Sequence, residues 1–123
     1  MSPLLHKHTI SVQHALDGVV WALKTQPNYR IHLVLSFLVV CFGFFFSISY
    51  VEWLIVIMLI TLGLVIETLN TGLEATTDAI TREWREEIKV AKDVAAAAML
   101  TFAIGSIIIS SIIFIPKIVA LIL

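Results

Sequence analysis

Val51-Glu-Trp-Leu-Ile-Val-Ile-Met-Leu-Ile-Thr-Leu-Gly-Leu-Val-Ile66 runs directly into Glu67-Thr-Leu-Asn70-Thr-Gly-Leu-Glu74-Ala-Thr-Thr-Asp78. The first half carries one charge, Glu52, near its start, and the second is a polar ladder. At about 100° per residue, positions 67, 70, 74 and 78 fall near roughly 0°, 300°, 340° and 20°, so three carboxylates and one amide share one helical face. The apolar lead-in places Glu67 at or just inside a bilayer surface, where an ionisable group is costly and marks a functional site by default. A helix simply emerging into water accounts for Asp78 and in part for Glu74. It leaves Glu67, beside Ile66, without a reason.

Composition agrees with a membrane setting. Of 123 residues, 59% are hydrophobic, and a mean hydropathy of +1.01 is too high for a soluble domain of this size. Three apolar stretches, 31–48, 51–69 and 94–115, are long enough to cross the hydrocarbon core, giving one membrane-embedded domain, 1–123, with three spans. The sole cysteine, Cys41, lies in the first span and permits neither an internal disulfide nor a thiolate metal cluster. No cleavable leader is expected, because the first apolar run starts only at residue 31 and is long for a signal core.

The net charge of −1 conceals an asymmetry. Lys7, Lys24 and Arg30 precede the first span, and Arg82, Arg85, Lys89 and Lys92 lie between the second and third. Lys117 alone is left for the other side. The positive-inside rule then puts the N-terminus and the segment 70–93 in the cytoplasm, and the turn 47–52 and the C-terminus outside a bacterial inner membrane. The carboxylate row faces the compartment that holds ATP.

Along the chain, residues 1–8 read as a mobile tail. Residues 10–25 form an amphipathic surface helix, with Val12, Leu16, Val19, Val20 and Leu23 opposite Gln13, Asp17 and Lys24. Trp21 suits interfacial depth, and Gly18 with Ala22 suits close helix packing. Pro27 ends or kinks this helix, and Asn28-Tyr-Arg-Ile-His32 leads into the membrane, with Arg30 as a snorkelling anchor. His14 and His32 read as polar-face and interfacial residues, since no second histidine stands at ligand spacing. Lipid or subunit packing explains Phe44, Phe45 and Phe46. A tight turn makes the first two spans a hairpin, with Glu52 a solvated helix end. Residues 81–93 read as a charged cytoplasmic connection. At its end Lys92 and Asp93 precede an alanine run, 95–98, that permits close helix approach and brings these charges toward the carboxylate row. Pro116 closes the third span.

Glu67-x-x-Asn70-Thr-x-x-Glu74-x-x-x-Asp78, followed by Ala91-Lys92-Asp93, resembles the small prokaryotic integral-membrane diacylglycerol kinase family, which includes undecaprenol kinases. The likeness extends to Ala15-x-x-Gly18-x-x-x-Ala22 and Asn28-Tyr-Arg-Ile-His32. It implies an all-α homotrimer of three-span subunits with an N-terminal surface helix, active sites between subunits, and transfer of a phosphoryl group from MgATP to a lipid alcohol. Carried over by position, Glu67 looks like the general base, with Asn70 beside it as a catalytic position. Glu74 looks like a ligand of Mg²⁺, a role shared with position 26. Asp78, Glu83, Trp84, Arg85, Lys92 and Asp93 look like nucleotide-binding positions, as do Lys7, His14 and Gln26 on the N-terminal side. No nucleic-acid partner is expected. The chemistry agrees: phosphoryl transfer needs metal and cation across the phosphates and an acceptor for the hydroxyl proton. Glu67, the most desolvated of the row, is the better proton acceptor.

The sequence departs from the family pattern at four positions. Gln26 replaces a common glutamate, Arg85 a frequent histidine, Gly72 a usual alanine, and Ala96 a serine of some diacylglycerol-specific members. The acceptor is diacylglycerol or undecaprenol, with Ala95, Ala96 and the Asn28–His32 stretch closer to the undecaprenol type. Gln26 keeps open an alternative from another class, a non-catalytic membrane protein that binds nucleotide or lipid or acts in assembly.

Overall fold

A computed structural model describes residues 3–123, with side chains from residue 10 onward. The described chain is four helices: α1 (Pro3–Thr25), α2 (Pro27–Phe45), α3 (Tyr50–Ile80) and α4 (Glu86–Ile122). The last three are long and apolar enough to cross a membrane. The protein is therefore an all-α membrane protein. α3 packs on both α2 and α4, and α1 touches α2 and α3.

Helix α1 starts at Pro3, so the backbone from residue 3 is helical where a tail was expected. Its apolar side chains from Ile10 to Trp21 are exposed, as befits a helix lying on a surface. The small pair divides: Ala22 is buried, whereas Gly18 has no neighbour to pack against within the chain. Pro27 occupies the first turn of α2, where its missing N–H costs nothing, so α2 begins four residues before the expected span.

The hairpin turn is built by hydrogen bonds that close the end of α2. Ser47 N–H donates to Phe44 O (3.1 Å) and Ile48 N–H to Gly43 O (3.1 Å), the 6→1 pattern of a Schellman cap. Ser47 holds the left-handed position this requires, at φ 48°. Ser49 then caps α3: its hydroxyl accepts from Glu52 N–H (3.3 Å) and the Glu52 carboxylate accepts from Ser49 N–H (2.7 Å). Glu52 is thus more than a solvated end, and its other oxygen takes Lys117 Nζ at 3.1 Å.

That ion pair comes from beyond Pro116, where the third span was expected to close. α4 instead continues to Ile122. A proline removes one hydrogen bond from a helix, but in a bilayer a broken helix leaves several groups unsatisfied, so continuation is favoured. At its other end α4 begins at Glu86, which makes the second half of the expected connection helical. Glu86 and Glu87 complement the N-terminal dipole, and Lys89 pairs with Asp93 at 2.6 Å one turn on.

The packed core lies in the outer half. Ile48, Val56, Ile113 and Phe114 are buried together, with Val39, Phe46 and Trp53 against them. Phe46 belongs to this core, its ring 6.1 Å from that of Phe114, while Phe44 and Phe45 face outward. The Trp53 indole covers Gly43, where an added Cβ would stand 2.7 Å from a ring carbon. Close packing there fixes the bundle and leaves the inner half to carry polar groups.

Candidate active site

α3 has 31 residues and is about 46 Å long, whereas the hydrocarbon core is about 30 Å thick. Counted from Tyr50, it leaves the core near residue 70 and carries its last turns into water. The row therefore spans two media. Glu67 is 2% exposed and Asn70 8%, Glu74 is half-buried, and Asp78 is exposed. Packing of the neighbouring helices on α3 produces this gradient, and it gives four polar groups on one face different environments.

Within the row, Asn70 Nδ2 donates to Glu74 Oε1 at 3.4 Å, which leaves Asn70 Oδ1 buried and without a hydrogen-bond partner. Thr71 and Thr77 are buried on the same face, and the Thr77 hydroxyl donates to Glu74 O at 2.9 Å. Glu67 lies within electrostatic reach of Glu74 and of His32 on α2. His32 is the neighbour that sequence reasoning missed. Its signal was position, since it lies in the second turn of α2, near the polar end of the span.

Beyond the membrane, Lys92 Nζ donates to Asp78 Oδ1 at 2.5 Å, clipping α4 to the polar end of α3. This is the meeting of charges expected from the alanine run. The Lys92 ammonium, helped by Arg82, holds the Asp78 carboxyl below its ordinary pKa. Asp93 faces Lys89 instead of the row. Around the clip opens a cleft of about 490 Å³ walled by Asp78, Arg82, Glu83, Trp84, Lys89 and Lys92, with Arg85 and Asp93 at its edge. Trp84, 77% exposed, offers its ring to this space. Arg82, Arg85, Lys89 and Lys92 line it together with Asp78, Glu83 and Asp93, and the two lysines are held by the two aspartates, so the guanidinium groups of Arg82 and Arg85 are the cations best placed for a phosphate.

The N-terminal positions stand apart. His14 is exposed on α1, and no hydrogen bond or ion pair joins it to the row among the described residues. The Lys7 side chain lies outside the described residues. Gln26 caps the start of α2, its amide donating to Thr25 Oγ1 at 3.4 Å, and no hydrogen bond joins it to Glu74 among the described residues.

No three histidine, cysteine, aspartate or glutamate side chains converge on one point among the described residues. The chain does offer the Glu74 carboxylate and the unpartnered Asn70 Oδ1, two oxygen donors one turn apart. That set fits a hard cation which keeps several waters and is completed by substrate phosphates, as Mg²⁺ does.

A buried carboxylate at the end of an apolar span, with a charged cleft further along the same helix, fits a membrane enzyme that acts on a lipid. The chain belongs to the prokaryotic diacylglycerol kinase family, whose profile matches residues 13–114. It is 37% identical over 113 residues to the undecaprenol kinase of Bacillus subtilis, covering 92% of both chains. It is 30% identical over 113 residues to a diacylglycerol kinase of Synechocystis, covering 91% of this chain and 65% of that one. A diacylglycerol kinase of Pseudomonas aeruginosa is 29% identical over 85 residues, or 69% of each chain. The protein is a lipid kinase.

Proposed function

We propose that the protein transfers the γ-phosphoryl group of MgATP to the terminal hydroxyl of a membrane lipid alcohol of the undecaprenol type. The observation that carries this reading is the row on α3, which runs from buried Glu67 at the end of the apolar span, over the expected membrane boundary, to exposed Asp78 and its partner Lys92. An embedded alcohol and a soluble nucleotide can meet only across that boundary. Likeness to the undecaprenol kinase over nearly all of both chains favours a polyprenol over diacylglycerol as acceptor.

In the reaction the lipid hydroxyl gives its proton to a Glu67 carboxylate oxygen as the alcohol oxygen attacks the γ-phosphorus. The bond from that phosphorus to the β-bridging oxygen breaks, and ADP leaves. Burial keeps water from competing with the alcohol at Glu67. Lys92 and the cleft's other cations offset phosphate charge, with Trp84 and Arg85 beside the nucleotide and Glu83 and Asp93 at the cleft's polar edge. Glu74 and the Asn70 carbonyl oxygen would hold Mg²⁺, with Gln26 as the further ligand that the family pattern implies. When bound, that ion supplies charge neutralisation across the phosphates.

The lysine and arginine distribution supports an N-terminus and α3–α4 connection in the cytoplasm and a C-terminus outside. A homotrimer, implied by the family, would set Lys7 and His14 of one subunit's α1 beside the cleft of a neighbour. The decisive experiment is phosphate transfer from labelled ATP in reconstituted vesicles carrying either lipid. Transfer to undecaprenol far above diacylglycerol is expected. The reverse preference would overturn the acceptor assignment.

A further inference from the structure

On the membrane side of Glu67 the three span helices leave an open groove of about 210 Å³. Each helix lines it over the same axial length: 32–39 on α2, 56–63 on α3 and 102–110 on α4. The eight or nine residues of each helix rise roughly 10–12 Å, so the groove is a slot of that length running outward from His32 and Gly63. Its inner end lies one helical turn from Glu67. An extended chain advances about 1.2 Å per bond, so about nine chain atoms cover the slot. One extended hydrocarbon chain therefore matches the slot in length.

One contact sets the slot's width. The Phe102 ring lies against the bare backbone of Gly63, where an added Cβ would stand 2.7 Å from Cε1 and 3.0 Å from Cζ. Gly63 thereby lets Phe102 close the inner end of the slot beside the acceptor position. Further out the lining is apolar apart from serines, of which Ser106 has a buried hydroxyl without a partner.

We infer that the slot seats the hydrocarbon tail of the acceptor, and that the Gly63–Phe102 contact selects a lipid alcohol with its hydroxyl at the end of a single chain. This rests on the reading of Glu67 as the acceptor end of the active site. A diacyl lipid branches into two chains within a few atoms of its hydroxyl, at the level where Phe102 narrows the slot. A polyprenol passes that level as one chain.

The test is the ratio of kcat/KM for undecaprenol to that for diacylglycerol in vesicles, with KM for ATP measured beside it. Phe102→Ala should widen the inner end and move the ratio toward diacylglycerol by about tenfold or more, the effect of adding room in a hydrophobic site. Phe102→Leu, which keeps more of the packing, should move it the same way by less. Gly63→Ala should drive the ring into the slot and raise KM for undecaprenol by about tenfold. None should shift KM for ATP. Parallel changes for both lipids in all three variants would overturn the inference, as would a wild-type enzyme that uses both lipids equally. Glu67→Gln is assayed in the same vesicles. Unimpaired turnover there would overturn the placement of the acceptor itself, whatever the lipid ratio does.

Discussion

Glu67→Gln separates chemistry from architecture. Glu67 is 2% exposed, so a substitution must match its volume to avoid a cavity, and glutamine does so while losing the ability to take a proton. If Glu67 receives the hydroxyl proton, turnover falls by roughly 10² to 10⁴, equivalent to about 3–5 kcal/mol of barrier. Because Asn70 and Glu74 hydrogen-bond to each other and not to Glu67, the nucleotide end of the row is undisturbed, and KM for ATP stays within about twofold. Glu67→Asp keeps the carboxylate but withdraws it by about 1.5 Å, one carbon–carbon bond, and a misplacement of that size costs about 10². The assay is steady-state phosphate transfer, with thermal unfolding in detergent as the control for folding. A shift of less than about 4 °C, the size expected for about 1 kcal/mol, shows an intact fold. Glu67→Gln retaining more than a tenth of wild-type turnover in a folded protein would refute base catalysis by this residue.

At the hairpin, Ser47→Gly should stabilise by up to about 1 kcal/mol, since glycine holds φ 48° without a Cβ penalty, whereas Gly43→Ala should cost about 1–3 kcal/mol by pressing on Trp53; denaturant titration measures both. Because Lys92 lowers the Asp78 pKa in the folded chain, the clip's contribution is present above the unfolded-state pKa and lost as pH falls through the folded one. The difference in unfolding temperature between wild type and Lys92→Met should therefore shrink below about pH 4, and a constant difference would dismiss the pair. A reporter fused after Leu123 should read as extracytoplasmic and one inserted near Glu86 as cytoplasmic, with both on one side ruling out three crossings. Gln26→Glu should lower the free Mg²⁺ needed for half-maximal activity at fixed ATP, and superimposable titrations would mean that residue 26 does not touch the ion.

Much of the fold could be read from hydropathy because a bilayer admits few solutions. Runs of apolar residues about 20 long must be helices, and the turn at Ser47 leaves no room for anything but a hairpin. The row at 67, 70, 74 and 78 was legible for the same reason, since periodicity fixes a face without any knowledge of neighbours. Helix ends were less legible. Pro116 and the charged stretch before Asp93 both read locally as breaks, but Lys117 finds Glu52 across the bundle and Lys92 finds Asp78. Those partners lie on other helices, where no local pattern reports them. His32 escaped for the same reason: its significance depends on Glu67, 35 positions away and brought near only when α2 packs on α3.

The length of α3 connects the fold to the chemistry. From Glu67 to Glu74 the axial rise is about 10 Å, and to Asp78 about 16 Å, so the groups proposed for acceptor, metal and nucleotide are strung along one rigid rod. A loop at the membrane surface would let that spacing vary, and an error of about 1 Å at the reacting atoms costs about 10² in rate. A continuous helix fixes it at the expense of burying Glu67, Asn70, Thr71 and Thr77. The outer end absorbs that demand. The Ser49–Glu52 capping box, the Lys117 ion pair and the Gly43–Trp53 contact anchor the rod where no chemistry occurs. Changes at the outer end should therefore be felt first as lost stability, and changes at the inner end as lost turnover in a protein that still folds.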